Sequence, residues 1–354
     1  LAPGRLSAED RRLLGEFAAV LRLLVQSDQD KRMAGRQVFS QYFKLFPSLV
    51  SMLSCWAVTS LSTRGRVPLE PGFFDLVVID EASQCDIASA IPLLFRAKAA
   101  VIIGDPKQLR HISAIQPRRD RELLHKHALA DGFANWAYSE NSVFDLASPL
   151  AGQDDIIMLR DHHRSHADII EFSNQHFYEG RLRIATKYDR LRRLALDEPN
   201  VRWVDVQGTV TRPGSGALNE TEARAVVKEI ERLGIQQGYQ GTVGVVTPFR
   251  AQANRIRDLV NSHPQATLLL GRLDLLIDTV HKFQGDERDV MIFSPVVSKD
   301  ISEGALGFLK KTGNLFNVAI TRARAALVVV GDTAAAKASG VSYLADFANY
   351  VIPL

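Results

Sequence analysis

The feature that most constrains this chain is a series of short, near-continuous apolar runs, most of them rich in Val and Ile. Each ends in polar or turn residues. They span 55–60, 74–80, 99–105, 156–159, 243–247, 275–280, 290–297 and 326–332. A strand that is apolar at successive positions is buried on both faces, which is the condition of a parallel sheet. Helical patterns lie between them, at 167–177, 220–233 and 251–260. Asn219, followed three residues later by Glu222, reads as an N-cap with its reciprocal acid. Residues 6–54 read as helical, with Leu13, Leu14, Phe17, Val20, Leu21 and Leu24 at helical spacing. Strands alternating with helices predict an α/β fold.

The chain has 354 residues, enough for two domains and compatible with three. The expected boundary lies near Ser148-Pro149-Leu150-Ala151-Gly152, which divides the chain into 1–148 and 149–354. A Gly-rich stretch at 208–216 reads as a surface loop. With 46% hydrophobic and 23% charged residues, the composition excludes a disordered chain, a collagen and a coiled coil. Cys55 and Cys85 cannot build a disulfide framework or a four-cysteine zinc site. They read as reduced thiols of a cytoplasmic protein. No run is long enough to span a membrane, and the N-terminus carries no signal-peptide core. The first residue is Leu, so a piece of a longer chain is expected.

Net charge is only +3, but its distribution is uneven. Arg181, Arg183, Lys187, Arg190, Arg192 and Arg193 cluster around the single acid Asp189. A second basic stretch holds Lys107, Arg110, Arg118, Arg119, Arg121 and Lys126. Such clusters fit phosphate-backbone binding, and they fit a solvated charged face equally well.

The segment Phe74-Asp75-Leu76-Val77-Val78-Ile79-Asp80-Glu81-Ala82-Ser83-Gln84 delivers two adjacent carboxylates at a strand end. In an open α/β sheet, ligands bind at that end. In a nucleoside triphosphatase the first carboxylate, Asp80, would hold Mg²⁺, and the second, Glu81, would handle the attacking water. The alternative is an ordinary pair of acids at a strand end. The next run, Val101-Ile102-Ile103-Gly104-Asp105-Pro106-Lys107-Gln108-Leu109, again ends in polar groups. There Gln108 could hydrogen-bond a γ-phosphate or the water, or serve as a turn residue.

Together these two segments resemble motifs II and III of superfamily 1 helicases. Further segments follow in the family's order: Leu159-Arg160-Asp161-His162-His163-Arg164-Ser165-His166, then Phe177-Tyr178-Glu179-Gly180-Arg181-Leu182, then Val245-Val246-Thr247-Pro248-Phe249-Arg250-Ala251-Gln252. Asp278-Thr279-Val280-His281-Lys282-Phe283-Gln284-Gly285-Asp286-Glu287 resembles motif V. Asn317-Val318-Ala319-Ile320-Thr321-Arg322-Ala323-Arg324 resembles motif VI. The branch is the Upf-like one, and the resemblance covers residues 55–335.

The resemblance implies two RecA-like P-loop NTPase domains with mostly parallel sheets, the first incomplete, and ATP with Mg²⁺ between them. It implies that Arg164 and Arg322 are the two γ-phosphate arginines and that Glu287 contacts the ribose, in a loop shaped by Gln284 and Gly285. Arginines that meet the spreading negative charge of a phosphoryl-transfer transition state lower its energy. The implied activity is ATP-driven unwinding on single-stranded DNA or RNA, 5′-to-3′, within a longer chain whose other domains are further partners; no membrane partner is expected. Thr59, Ser60, Thr247, Pro248, Thr279 and Lys282, at strand ends, are the expected nucleic-acid contacts.

The sequence departs from the family at two points. No G-x-x-x-x-G-K-[ST] loop is present. In this family that loop lies upstream, so a truncated chain, inactive by itself, is expected; the alternative is a non-hydrolysing nucleic-acid-binding module. Where many relatives read YRMHP, this chain reads His163-Arg164-Ser165-His166-Ala167, which keeps the Arg and loses the Pro. His162 and His166 stand at the i, i+4 spacing of a helical zinc pair. The general-base Glu of that motif is missing and Arg164 would repel a cation, so a metal hydrolase is disfavoured.

Overall fold

A computed structural model of the chain describes residues 6–29, 35–195, 198–214, 216–283 and 285–352. The chain forms two compact units. The first comprises Leu1–Pro106 and Arg110–Gln153, the second Lys107–Leu109 and Asp154–Leu354. The three residues Lys107–Leu109, on the first-domain side of the boundary expected from sequence, thus cluster with the second unit.

The first unit begins with α1 (Ala8–Gln29) and α2 (Gly35–Met52), which pack together. Their apolar stripes bury Phe17, Val20, Tyr42, Phe46 and Leu49. There follow β1 (Phe74–Ile79), α3 (Ile87–Phe95), β2 (Ala97–Ile102), α4 (Pro117–Lys126) and α5 (Val143–Ala147). β1 and β2 pair in parallel, from Phe74 opposite Ala97 to Ile79 opposite Ile102. Gly104, just past β2, has no room for a side chain: a Cβ there would stand 2.7 Å from the Phe144 ring.

Two expected strands do not form. Residues 55–60 run into a 3₁₀ turn at Ser60–Thr63. Ser62 and Thr63 hydroxyls donate to the Thr59 carbonyl, so local side-chain bonds replace a strand ladder. Residues 156–159 form no strand, and Ile157 and Leu159 are largely exposed. The pairing instead begins two residues beyond Leu159, at β3 (Asp161–His162), which bonds in parallel with β4 (Arg183–Ile184).

The second unit continues with α6 (Ala167–Phe177) between those two strands, then β5 (Val201–Asp205), β6 (Val210–Thr211), β7 (Leu218–Asn219), α7 (Glu220–Glu231), β8 (Val243–Thr247), α8 (Arg250–Asn261), α9 (Ala266–Arg272) and β9 (Leu276–Thr279). β10 (Arg288–Phe293), α10 (Glu303–Lys311), α11 (Gly313–Thr321), β11 (Ala323–Gly331), α12 (Thr333–Ala338) and α13 (Ser342–Val351) complete it. The sheet has five strands in the order β5-β11-β10-β8-β9, all parallel. Successive residues serve opposite cores. Val246, Met291, Phe293, Leu327 and Val329 fill one; Val245, Val290, Ile292, Val328 and Val330 fill the other. The runs at 243–247, 275–280, 290–297 and 326–332 therefore form a sheet covered on both faces, and the fold is α/β as expected.

The cap of α7 forms only by half. The Asn219 side chain accepts from the Glu222 amide at 3.2 Å, as expected. The Asn219 amide, however, donates to Gln252 Oε1 at 2.9 Å rather than to Glu222. Glu222 turns inward, where its Oε1 accepts from Ser294 Oγ at 2.5 Å and the Val296 amide at 2.9 Å. Complete burial pushes its carboxyl up to about 8.

Candidate functional site

In the first unit, β1 ends at Asp80 and Glu81, both exposed. Glu81 adopts a left-handed backbone with φ of 53°. Asp80 Oδ1 accepts its amide at 2.9 Å, and Gln84 Nε2 donates to its Oε2 at 2.9 Å. The turn thus presents two separately held carboxylates beyond the strand end. Mg²⁺ binds few protein carboxylates and keeps several waters, and the solvent-facing Asp80 fits that demand. Thr59 and Ser60 lie in the same unit, where the Thr59 hydroxyl donates to Ser62 Oγ at 2.9 Å.

The second unit brings Arg164 to Glu287 and Arg322 to Gln108. Arg164 follows β3, and its Nε donates to Glu287 Oε2 at 2.5 Å, with both side chains about two-fifths exposed. Glu287 also faces Arg324, whose Nε lies 3.6 Å from Oε1. Arg324 in turn reaches Asp289 at 3.7 Å. Arg322 is 6% exposed, and its Nη2 donates to Gln108 Oε1 at 3.3 Å. Two guanidiniums, those of Arg164 and Arg324, thus face the one Glu287 carboxylate, and arginine forks match phosphate oxygens.

His162 stands two residues before Arg164. Its Nε2 accepts from the Ser165 amide at 2.9 Å, which requires an unprotonated ring nitrogen. Burial first, then the Arg164 charge, lowers its pKa to about 4. His166 is the N-cap of α6, its Nδ1 accepting from the Asp168 amide at 3.3 Å. The backbone thus engages one nitrogen of each ring. Among the described residues, no group of three His, Cys, Asp or Glu side chains is arranged to hold a metal.

The expected nucleic-acid contacts of this unit gather at adjacent strand ends, where Thr247 pairs in register with Thr279. Their hydroxyls face inward. Thr247 is fully buried, with its Oγ1 accepting from the Phe249 amide at 3.4 Å, and Thr279 Oγ1 accepts from Arg250 Nη2 at 3.0 Å. Pro248 is half-buried and Lys282 exposed. Gly285 has φ of +74°, which glycine adopts without strain, and its surroundings are open. Gln284 lies outside the described residues. The basic cluster of residues 181–193 is exposed throughout, although Arg181 and Arg183 are tied to Glu179 and Asp161.

Sequence reasoning missed Asn314, Asn317 and Arg324 as members of this site. The two asparagines carry a legible signal: they stand at i, i+3 on α11, and so on one helix face.

A family profile described as an AAA domain matches residues 139–334, and a second of the same description matches 47–112. The chain is 31% identical over 299 residues to an uncharacterized ATP-dependent helicase of Mycoplasma genitalium, covering 81% of this chain and 25% of that protein. It is 30% identical to helicase sen1 of Schizosaccharomyces pombe, over 73% of this chain and 14% of that one. It is 30% identical to the DNA polymerase alpha-associated DNA helicase A of Saccharomyces cerevisiae, over 79% and 42%. The chain therefore spans less than half the length of each of these relatives. Solved structures similar to it include the PRRSV helicase, with a TM-score of 0.34, 14% identity and coverage of 72% of this chain and 34% of that one. Another is the arterivirus nonstructural protein 10 helicase with DNA, with a TM-score of 0.35, 13% identity and coverage of 75% and 40%. No helix among the described residues is long and apolar enough to cross a membrane. With its ordered strand-end motifs and an AAA-domain match over more than half its length, the chain belongs to the AAA-domain family, in the Upf-like branch of superfamily 1 helicases.

Proposed function

We propose that this chain is the motor core of a longer ATP-dependent helicase that moves 5′-to-3′ on single-stranded nucleic acid. The observation that carries the reading is the pair Arg164 and Arg324 on Glu287, with Gln108 bonded to Arg322, two residues before Arg324. Phosphoryl transfer needs little covalent help from protein; it needs positioned cations where charge develops. In this reading Arg164 and Arg322 stabilise the transferring group, and Gln108 and Glu81 orient the water. Glu287, with Gln284 and Gly285, receives the nucleotide's sugar. Asp80 holds the Mg²⁺, which supplies neutralising charge on the phosphates when bound. Thr59, Ser60, Thr247, Pro248, Thr279 and Lys282 form the strand-end track for nucleic acid. For Thr247 and Thr279 the contribution is the backbone turn that their buried hydroxyls fix. ATP turnover then drives the nucleic acid along that track.

The exposed β1–β2 sheet supports a further part of the reading. Leu76, Val78, Val101 and Ile103 are all more than two-fifths exposed, an unusual state for a parallel pair. We take these as faces that an upstream segment carrying the phosphate loop covers in the longer protein. The chain as given is then inactive as an ATPase.

The test is a steady-state ATPase assay with saturating single-stranded nucleic acid, on this chain and on one extended upstream. Expected is no turnover in the first and turnover of about one per second or faster in the second. In the extended chain, Glu81→Gln should abolish turnover and keep ATP binding by calorimetry. Turnover by neither chain, with nucleic-acid binding retained, would favour the non-hydrolysing module instead.

A further inference from the structure

Lys107–Leu109 follow a strand of the first unit yet belong to the second. The side chains that hold them there come mainly from α11 and the residue after it. Asn314 Nδ2 donates to the Gln108 carbonyl at 2.9 Å, and Asn317 Nδ2 donates to the Lys107 carbonyl at 3.0 Å. Leu109, 3% exposed, packs into the second unit's core with Phe316 and its neighbours. Arg322, next along, donates to the Gln108 side chain.

Asn317 is fully buried and all its polar atoms are engaged. Its Oδ1 accepts from Ser173 Oγ at 2.7 Å, and its Nδ2 also donates to Tyr178 Oη at 3.1 Å. A backbone carbonyl can only accept, so the Lys107 contact fixes which way the carboxamide faces. Burying a carboxamide is costly unless every partner is present, and here the partners come from two separate segments, the loop after β2 and the C-terminal end of α6.

We propose that Asn317, assisted by Asn314, is a positioning residue for hydrolysis: it fastens the Lys107–Leu109 backbone so that the Gln108 carboxamide stands against Arg322. Gln108 is thereby held with Arg322 rather than with β2, which it follows in sequence. The proposal rests on the ATPase reading for its consequence, though not for its geometry.

Two measurements test it. Hydrogen exchange on the 354-residue chain reads the clamp directly. Asn317→Ala, and the milder Asn314→Ala, should speed exchange of the 107–109 amides about tenfold or more relative to those of β11, since one buried hydrogen bond carries roughly that factor. Unchanged relative exchange in both variants overturns the clamp. Kinetics on the upstream-extended chain reads the role. Asn317→Ala should lower kcat about tenfold with KM for ATP little changed. In a Gln108→Ala background the same substitution should lower kcat no further, because its effect passes through Gln108. An equal loss in both backgrounds marks a general structural effect and overturns the role. A parent without any turnover sinks the helicase reading, and this role with it; additive kinetics or unchanged exchange sinks only this role.

Discussion

The β1–β2 sheet and the five-stranded sheet are built from similar sequence and end in different states. In β8 every residue is buried, and Val245 and Val246 each enter a packed core. In β1 the residues Leu76 and Val78 are 51% and 54% exposed, although Phe74-Asp75-Leu76-Val77-Val78-Ile79 is as strand-like as any run in the chain. β8 lies inside a five-stranded sheet with helices on both faces, whereas β1 is paired only with β2. An apolar strand run reports how much cover a strand can use; it does not report how much it has.

The sharpest way to break that comparison is to place a charge in each strand. Val245→Asp buries an unpaired carboxylate in a closed core and should cost more than about 4 kcal/mol, enough to unfold the second unit. Val78→Asp should shift the melting temperature of this chain by little, because its side chain already meets water. Circular dichroism melts of both variants decide it, and unfolding by Val78→Asp would refute the contrast. In an upstream-extended chain, Val78→Asp should become the damaging one if β1 is then covered.

Ion pairs offer the next contrast. In the second unit, Arg232 binds Glu198 and Glu229 at 2.7 and 2.8 Å, and Glu229 is only 6% exposed. Arg202 pairs with Glu229 as well, so replacing both Arg202 and Arg232 by Ala strands that buried carboxylate and should cost about 3 kcal/mol in urea denaturation. The matching pair across β1 and β2, Lys98 with Asp75 at 2.7 Å, is solvent-exposed on both sides.

A smaller effect depends on pH. Glu222 has its carboxyl raised from 4.5 to about 8, so the folded chain holds a proton that the unfolded chain has lost across that interval. Stability from this group therefore falls as pH rises toward 8. His162 acts in the opposite sense. Lowered from 6.5 to about 4, it costs stability only as pH falls below 6.5. Between pH 6.5 and 8 Glu222 acts without interference from His162, and stability should fall by about 2 kcal/mol. Glu222→Gln should flatten that slope in denaturant titrations at several pH values. A slope unchanged in the variant would assign it elsewhere.

The smallest expected effect is that of Lys98→Ala, which should leave the melting temperature unchanged within error, since exposed pairs contribute little. A clear drop would mean that the first sheet depends on its surface charges.

Much of the site was readable in advance because its signals are local. The run before Asp80-Glu81 forms β1, and α6 spans the 167–177 predicted for it. Its start is fixed by a side-chain cap at His166, an unusual residue for that place. Residues 55–60 misled because apolarity says nothing of whether a partner strand is present. Glu222 misled because its spacing from Asn219 allows a reciprocal cap, while Gln252, Ser294 and Val296, distant in sequence, compete for both groups and win.

The sequence by itself determined four strands of the five-stranded sheet, β8, β9, β10 and β11, and which polar residues stand at their ends. The edge strand β5, whose run Val201-Arg202-Trp203-Val204-Asp205 is broken by charge, was not read in advance. Period, apolarity and capping act over a few residues, and the chain carries them wherever it folds. Only the tertiary structure decided the partners. Arg164 meets Glu287 across 123 residues of sequence, and Gln108 leaves the strand it follows to join Asn314 and Arg322, which lies 214 residues away. Those contacts depend on how the loops after β2, β3 and β9 converge with α11. Packing of the whole sheet sets that convergence, and no local pattern encodes it.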